Sequence, residues 1–99
     1  MKPLMQLLQR VKAYIPPIEF YRTELPTMAP SKGHGTCDGG LCPFHNDHHA
    51  GSFKVNLTTG AFHCFSCEEE GGDIIDYTRQ KYGLSFSEAL QKLADEWGV

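Results

Sequence analysis

Four cysteines and one of five histidines in this 99-residue chain are spaced for metal chemistry. Cys42-Pro43-Phe44-His45 and Cys64-Phe65-Ser66-Cys67 form two C-x-x-[CH] pairs with 18 residues between them. Each pair predicts a tight turn that aims two ligands at one ion while turn amides donate to the thiolates. Zn²⁺ takes four N or S ligands in a tetrahedron at ~2.0–2.3 Å, and Cys42, His45, Cys64 and Cys67 supply such a set. Cys37 competes with His45, because Cys37-x4-Cys42 is also a tolerable spacing. The gap from Cys42 to His45 mirrors that from Cys64 to Cys67, and Pro43 stiffens the turn. The expectation is therefore His45, with Cys37 left as a free thiol in a flexible loop. Four protein ligands leave no position for a reactive water, so the expected role of the ion is structural. The sequence shows no Walker loop, nucleophile elbow or Asp-x-Asp cluster, and no catalytic residue is expected in this chain. Glu68-Glu69-Glu70, ahead of Gly71-Gly72, reads as a solvated loop. His34, His48 and His49 read as solvated, and His63 as a residue of an outer sheet face.

These ligands need elements to hold them. Phe53, Val55 and Leu57 alternate with Ser52, Lys54 and Asn56, the period of a strand. Thr58-Thr59-Gly60 predicts a turn, with Gly60 free to take positive φ, and Ala61 to Phe65 returns as the second strand. A two-residue Thr59-Gly60 loop sets Val55 opposite Cys64 and Lys54 opposite Phe65; a three-residue loop sets Phe53 against Phe65. The first is preferred, because it gathers Phe53, Val55, Leu57, Phe62 and Cys64 on one buried face. Upstream, Leu4, Leu7, Leu8, Val11 and Ile15 form one stripe of an amphipathic helix. Pro16-Pro17 interrupts it, and Ile18 to Leu25 predicts a second short helix with Pro17 in its first turn. Pro30 to Gly40, rich in Gly, Ser, Thr and Asp, reads as loop. Downstream, Asp73 caps a helix through Tyr82 that Gly83 ends. Ser85-Phe86-Ser87-Glu88 is a capping box, with Leu84 placed to staple against Ala89. Ala89, Leu90, Leu93, Ala94 and Trp97 make the buried stripe of the last helix. The expected fold is α+β: a small zinc ribbon whose antiparallel β-sheet is flanked by N-terminal and C-terminal helices. Residues 1–99 are expected to form a single domain, with an N-terminal helical segment (1–30), the ribbon (31–70) and a C-terminal helical pair (71–99).

Composition narrows the setting. Hydrophobic residues at 40% and charged residues at 21% are those of a globular chain. Nine basic against twelve acidic residues, net −3, argue against wholesale electrostatic wrapping of a nucleic acid and leave room for a local basic face. No apolar run approaches the roughly 20 residues of a membrane span. Lys2, Gln6, Gln9, Arg10 and Lys12 break the continuous apolar centre that a signal peptide needs. A cytoplasmic location without membrane contact is expected, with thiols reduced and available to zinc rather than paired as disulfides.

Gly40-Leu41-Cys42-Pro43-Phe44-His45-Asn46, Ser52-Phe53-Lys54-Val55, Phe62-His63-Cys64-Phe65-Ser66-Cys67 and Gly71-Gly72-Asp73-Ile74-Ile75-Asp76 together resemble a known family. So does the tail Leu84-Ser85-Phe86-Ser87-Glu88-Ala89-Leu90 with Leu93-Ala94. The family is the CHC2-type zinc-binding domain at the N-terminus of bacterial and phage DNA primases. The resemblance covers Gly40 to Val99; the first thirty residues share only an amphipathic helix with it. It implies that Cys42, His45, Cys64 and Cys67 bind one structural zinc, and that the ribbon binds single-stranded DNA template. It also implies a part in primer initiation during DNA replication, with a polymerase domain absent from this chain. That partner is a primase polymerase domain or another replication protein acting in trans. Lys54, Asn56, His63 and Phe65 are the expected DNA-binding residues, extended by Lys32 and Arg22. Two departures motivate an alternative: Asn46 to Gly51 lacks the family's usual basic residue, and Glu68-Glu69-Glu70 would repel phosphate. In that alternative the ribbon docks on a replication protein without binding DNA.

Overall fold

The computed structural model describes residues 3–30 and 33–99. Two helices come first, α1 (Leu4–Tyr14) and α2 (Pro17–Glu24), separated by the proline pair as expected. The α1 stripe is narrower than its spacing suggests: Leu7, Val11 and Ile15 are buried, whereas Leu4 is exposed. The sheet follows, with β1 (Thr36–Asp38), β2 (Phe53–Asn56), β3 (Phe62–Cys64) and β4 (Glu70–Gly71). It is a four-stranded antiparallel meander in the order β1-β2-β3-β4. Helices α3 (Ile74–Tyr82) and α4 (Phe86–Trp97) close the chain.

Local chemistry sets the helix ends. The Asp73 carboxylate accepts from the Asp76 amide at 2.8 Å, and Gly83 ends α3 in the left-handed region at φ 65°. Ser85 and Glu88 exchange both capping-box bonds, with Glu88 N–H to Ser85 Oγ at 3.2 Å and Ser85 N–H to Glu88 Oε1 at 2.9 Å. The Ser85 amide, first, and then the Ser85 side chain hold the Glu88 carboxyl below its ordinary value.

Four expectations for the ribbon are corrected. Segment 36–38 is a strand rather than loop, because the edge of β2 offers it a ladder: Thr36, Cys37 and Asp38 pair with Asn56, Val55 and Lys54. Cys37 is therefore in a strand and partly buried, not in a flexible loop. Glu70 likewise leaves the expected acidic loop and pairs with His63.

The hairpin register matches neither sequence alternative. Phe53 faces Cys64, Lys54 faces His63 and Val55 faces Phe62. The reason is a longer loop, closed by Asn56 N–H to the Ala61 carbonyl at 2.7 Å. The Asn56 side-chain oxygen holds that loop by accepting from the Thr58 and Thr59 amides at 2.8 and 2.9 Å. Gly60 completes it at φ 85°. The pairing differs from the preferred one by two residues, and an even slip leaves every side chain on its own face. Phe53, Val55, Leu57, Phe62 and Cys64 are thus all buried, as expected.

The inner sheet face meets the helices through aromatic rings. Tyr77 of α3 contacts Phe62 edge-on at 5.6 Å, and Phe20 and Tyr21 of α2 edge-on at 5.4 Å each. The Tyr21 hydroxyl donates to the Gly60 carbonyl at 2.6 Å and ties α2 to the hairpin loop. Helix α4 packs on α3 and on α1, covering Leu90 and Leu93. Each such fully buried side chain stabilises the fold by about 1.5–3 kcal/mol before entropy is counted.

Candidate metal centre

Two turns build the site. The first follows β1, and elements on several sides hold it. Leu41 N–H donates to Thr27 Oγ1 at 2.9 Å, and Lys81 Nζ of α3 donates to the Pro43 carbonyl at 3.0 Å. Phe44 turns inward to stack on Phe62 with ring centroids 5.4 Å apart. The second turn continues β3. Phe65 N–H donates to the Ser52 carbonyl at 2.8 Å, and Glu68 N–H to the Cys64 carbonyl at 2.8 Å.

Four donor atoms converge between the turns. The Sγ atoms of Cys42, Cys64 and Cys67 and a ring nitrogen of His45 all lie within 4.8 Å of one another. Cys42 Sγ to Cys67 Sγ is 3.8 Å, and Cys64 Sγ to His45 Nδ1 is 3.9 Å. Thiolates bound at ~2.3 Å to one tetrahedral ion sit ~3.8 Å apart, so the cluster is sized for Zn²⁺. The expected turn bonds are present: Phe44 N–H to Cys42 Sγ at 3.3 Å and Cys67 N–H to Cys64 Sγ at 3.4 Å. The donor set fits a single structural zinc. Bound there, the ion would tie the two turns together and contribute folding free energy to a small core.

The thiols are not equivalent. Burial pushes the Cys42 thiol up to about 12, with the Phe44 amide opposing. Burial also raises Cys64, but the Cys67 and Ser66 amides and the neighbouring thiols outweigh it and hold the group below its ordinary value. A cation entering the site must displace protons, and most strongly the one on Cys42. Cys37 lies outside the cluster. Burial raises its thiol too, with Asp38 adding to the effect, and a raised thiol is a poor nucleophile or redox sensor. His34, His48 and His49 are exposed and also outside the cluster.

Sequence spacing missed Asp47. One carboxylate oxygen accepts from the Cys42 amide at 2.8 Å; the other lies 3.7 Å from His45 Nε2 and accepts from the His49 amide at 3.4 Å. The Cys42 amide, first, then the His49 amide and His45 hold this carboxyl below its usual range. Asp47 thus faces the ring nitrogen of His45 that points away from the cluster, and so orients the ring. An acidic residue two positions after a candidate His ligand was the available signal.

The outer sheet face carries four of the other nominated residues. Lys54, Asn56, His63 and Phe65 line one open groove of about 630 Å³. Phe65 is 63% exposed and stacks on His63 at 4.2 Å, with an interplanar angle of 11°. Lys54 Nζ lies 3.9 Å from Asp38 Oδ2, and the Asn56 side-chain oxygen is engaged by the hairpin loop. Arg22 is ion-paired with Glu19 on α2 at 3.6 Å. Lys32 lies outside the described residues. Among the described residues, no helix is long and apolar enough to cross a membrane.

Residues 18–99 match the family model described as CHC2 zinc finger, and the chain belongs to that family. It is a CHC2-type zinc ribbon homologous to the N-terminal zinc-binding domain of bacterial DNA primases. It is 48% identical over 60 residues to the DNA primase of Streptomyces coelicolor, a match covering 61% of this chain and 9% of that one. The DNA primase of Deinococcus radiodurans is 45% identical over 60 residues, covering 61% and 10%. The matches thus span about a tenth of the length of these curated relatives. The crystal structure of the Aquifex aeolicus primase, zinc-binding and RNA polymerase domains, superposes with a TM-score of 0.71 at 25% identity. That superposition covers 93% of this chain and 21% of the other.

Proposed function

We propose that this chain is the template-engaging zinc module of a primase. In this reading Cys42, His45, Cys64 and Cys67 hold one structural zinc, and the outer sheet face binds single-stranded DNA. Primer synthesis is supplied by a primase polymerase domain or another replication protein, in a cytoplasmic setting where the thiols stay reduced. The observation that carries the reading is the Phe65 ring, 63% exposed and stacked on His63 beside the second metal turn. A ring in that position serves as a stacking platform, worth about 1–3 kcal/mol per base. Lys54 and the Asn56 amide group add polar contacts along the same groove.

Two-dimensional NMR of zinc-loaded protein, titrated with short mixed-sequence single-stranded DNA at low salt, tests the proposal. Shifts clustered at Lys54, Asn56, His63 and Phe65 are expected; a silent spectrum at high DNA excess would remove it. A second reading has one specific observation behind it. Lys54 and His63 both have carboxylates alongside, which suits a face that docks a replication protein instead. The silent spectrum, together with shifts of the same residues on adding a purified primase polymerase domain, would favour that reading.

A further inference from the structure

Among the described lysines, one is placed unlike the rest. Lys12, Lys54 and Lys92 each face a carboxylate, those of Asp73, Asp38 and Glu96. Lys81 has no ion pair among the described residues and donates to the Pro43 carbonyl at 3.0 Å, 38 residues away in the chain. A lysine in the last turn of a helix ordinarily complements that helix's own carbonyls, whereas this one reaches across to the first metal turn. Tyr77, four residues earlier on the same face of α3, meets Phe44 of that turn edge-on at 5.3 Å.

The Pro43 carbonyl matters because of the other end of its peptide unit. No described peptide bond is cis, so the Pro43 C=O and the Phe44 N–H point in opposite directions. That N–H donates to Cys42 Sγ at 3.3 Å. The Lys81 ammonium, the Pro43–Phe44 peptide and the Cys42 sulfur therefore form one line of hydrogen bonds. A cation on the carbonyl polarises the peptide and makes its N–H the stronger donor. The matching bond of the second turn, Cys67 N–H to Cys64 Sγ at 3.4 Å, has no described lysine donating to the carbonyl behind it.

Resting on the four-ligand zinc site proposed above, we infer that Lys81 is a positioning residue of the metal centre, acting on Cys42 through the Pro43–Phe44 peptide. It fixes the plane of that peptide and strengthens the hydrogen bond to the Cys42 sulfur. Three thiolates, a neutral imidazole and Zn²⁺ leave the filled site with one net negative charge, which the ammonium offsets at the first turn. The effect is one-sided: it enters at Cys42 and leaves the Cys64 turn as it is.

The test compares the full zinc-loaded chain with its Lys81→Met, Lys81→Arg and Lys12→Met variants. Chelator competition reads zinc affinity, and NMR reads the Phe44 and Cys67 amide protons. Lys12 lies on α1 beside Asp73, so Lys12→Met removes the same charge elsewhere in the fold. Lys81→Met is expected to weaken zinc about tenfold, the lower end for an outer partner of a metal ligand. Its Phe44 amide proton should move upfield while that of Cys67 keeps its position. Lys81→Arg retains a cationic donor and should restore both readings, and Lys12→Met should leave both unchanged. Parental zinc affinity in Lys81→Met would overturn the inference. So would an equal loss in Lys12→Met, the mark of bulk charge, or in Lys81→Arg. Equal shifts of the two amides would overturn it as well, since they mark a loosened fold rather than one polarised peptide. A parent chain that takes up no zinc one-to-one would remove the site reading and this inference together.

Discussion

The two metal turns share a spacing and carry one phenylalanine each, offset by one position. That offset sends the rings opposite ways. Phe44, third in its turn, faces inward, stacked on Phe62 and edge-on to Tyr77 at 5.3 Å. Phe65, second in its turn, faces solvent and stacks on His63. The first turn is held by Lys81 and Asp47; the second extends the hairpin and keeps its outer side open. The shared spacing therefore gathers the four donors, while the residue between them decides whether a turn anchors to the core or faces solvent.

The contrast should fail first at the ion itself. Cys64→Ser is expected to abolish one-to-one zinc binding and the cooperative unfolding transition together, since structural zinc sites contribute about 10–16 kcal/mol of binding free energy. Metal analysis and thermal circular dichroism would read both. In the intact chain acid should do the same: protons compete for the thiolates, Cys42 most strongly, so zinc is held at neutral pH and lost as pH falls. Zinc content unchanged down to strongly acidic pH would contradict this.

Next in size is Phe44→Ala, expected to cost about 2–4 kcal/mol of stability because it empties a ring site against the core. Denaturant unfolding of the zinc-loaded variant measures it. Phe65→Ala should show the opposite profile: stability within ~0.5 kcal/mol of the parent, but DNA affinity reduced by about 1–3 kcal/mol. Equal stability losses for the two variants would erase the distinction between the turns. The smallest effect sharpens the comparison within the first turn. Asp47→Asn should leave the fold unchanged and weaken zinc by about 10- to 100-fold in chelator competition, because His45 loses its orienting carboxylate.

The donor cluster was legible because metal geometry is short-range: two turns of fixed length announce themselves in the spacing of Cys42, His45, Cys64 and Cys67. Helix ends were legible for the same reason, at Asp73, Gly83 and the Ser85–Glu88 box. Strand β1 was not, because Thr36, Cys37 and Asp38 become a strand only by pairing with β2, and such context outweighs propensity. The register escaped because the Asn56 side chain, not the Thr-Gly pair, sets the loop length. Asp47 reaches Cys42 and His45 only once the first turn has folded.

The packing of α1 against α4 has a kinetic consequence. The first and last helices of the described chain meet, so nearly the whole polypeptide must close as one loop before that contact forms. Closure entropy grows with loop length, and folds rich in distant contacts fold slowly. A zinc ion held by Cys42, His45, Cys64 and Cys67 would fasten the middle of the chain beforehand and shorten the path between its ends. Metal loading should therefore raise the rate of folding as well as slow unfolding, which makes the moment of zinc capture a timing step in the maturation of the domain.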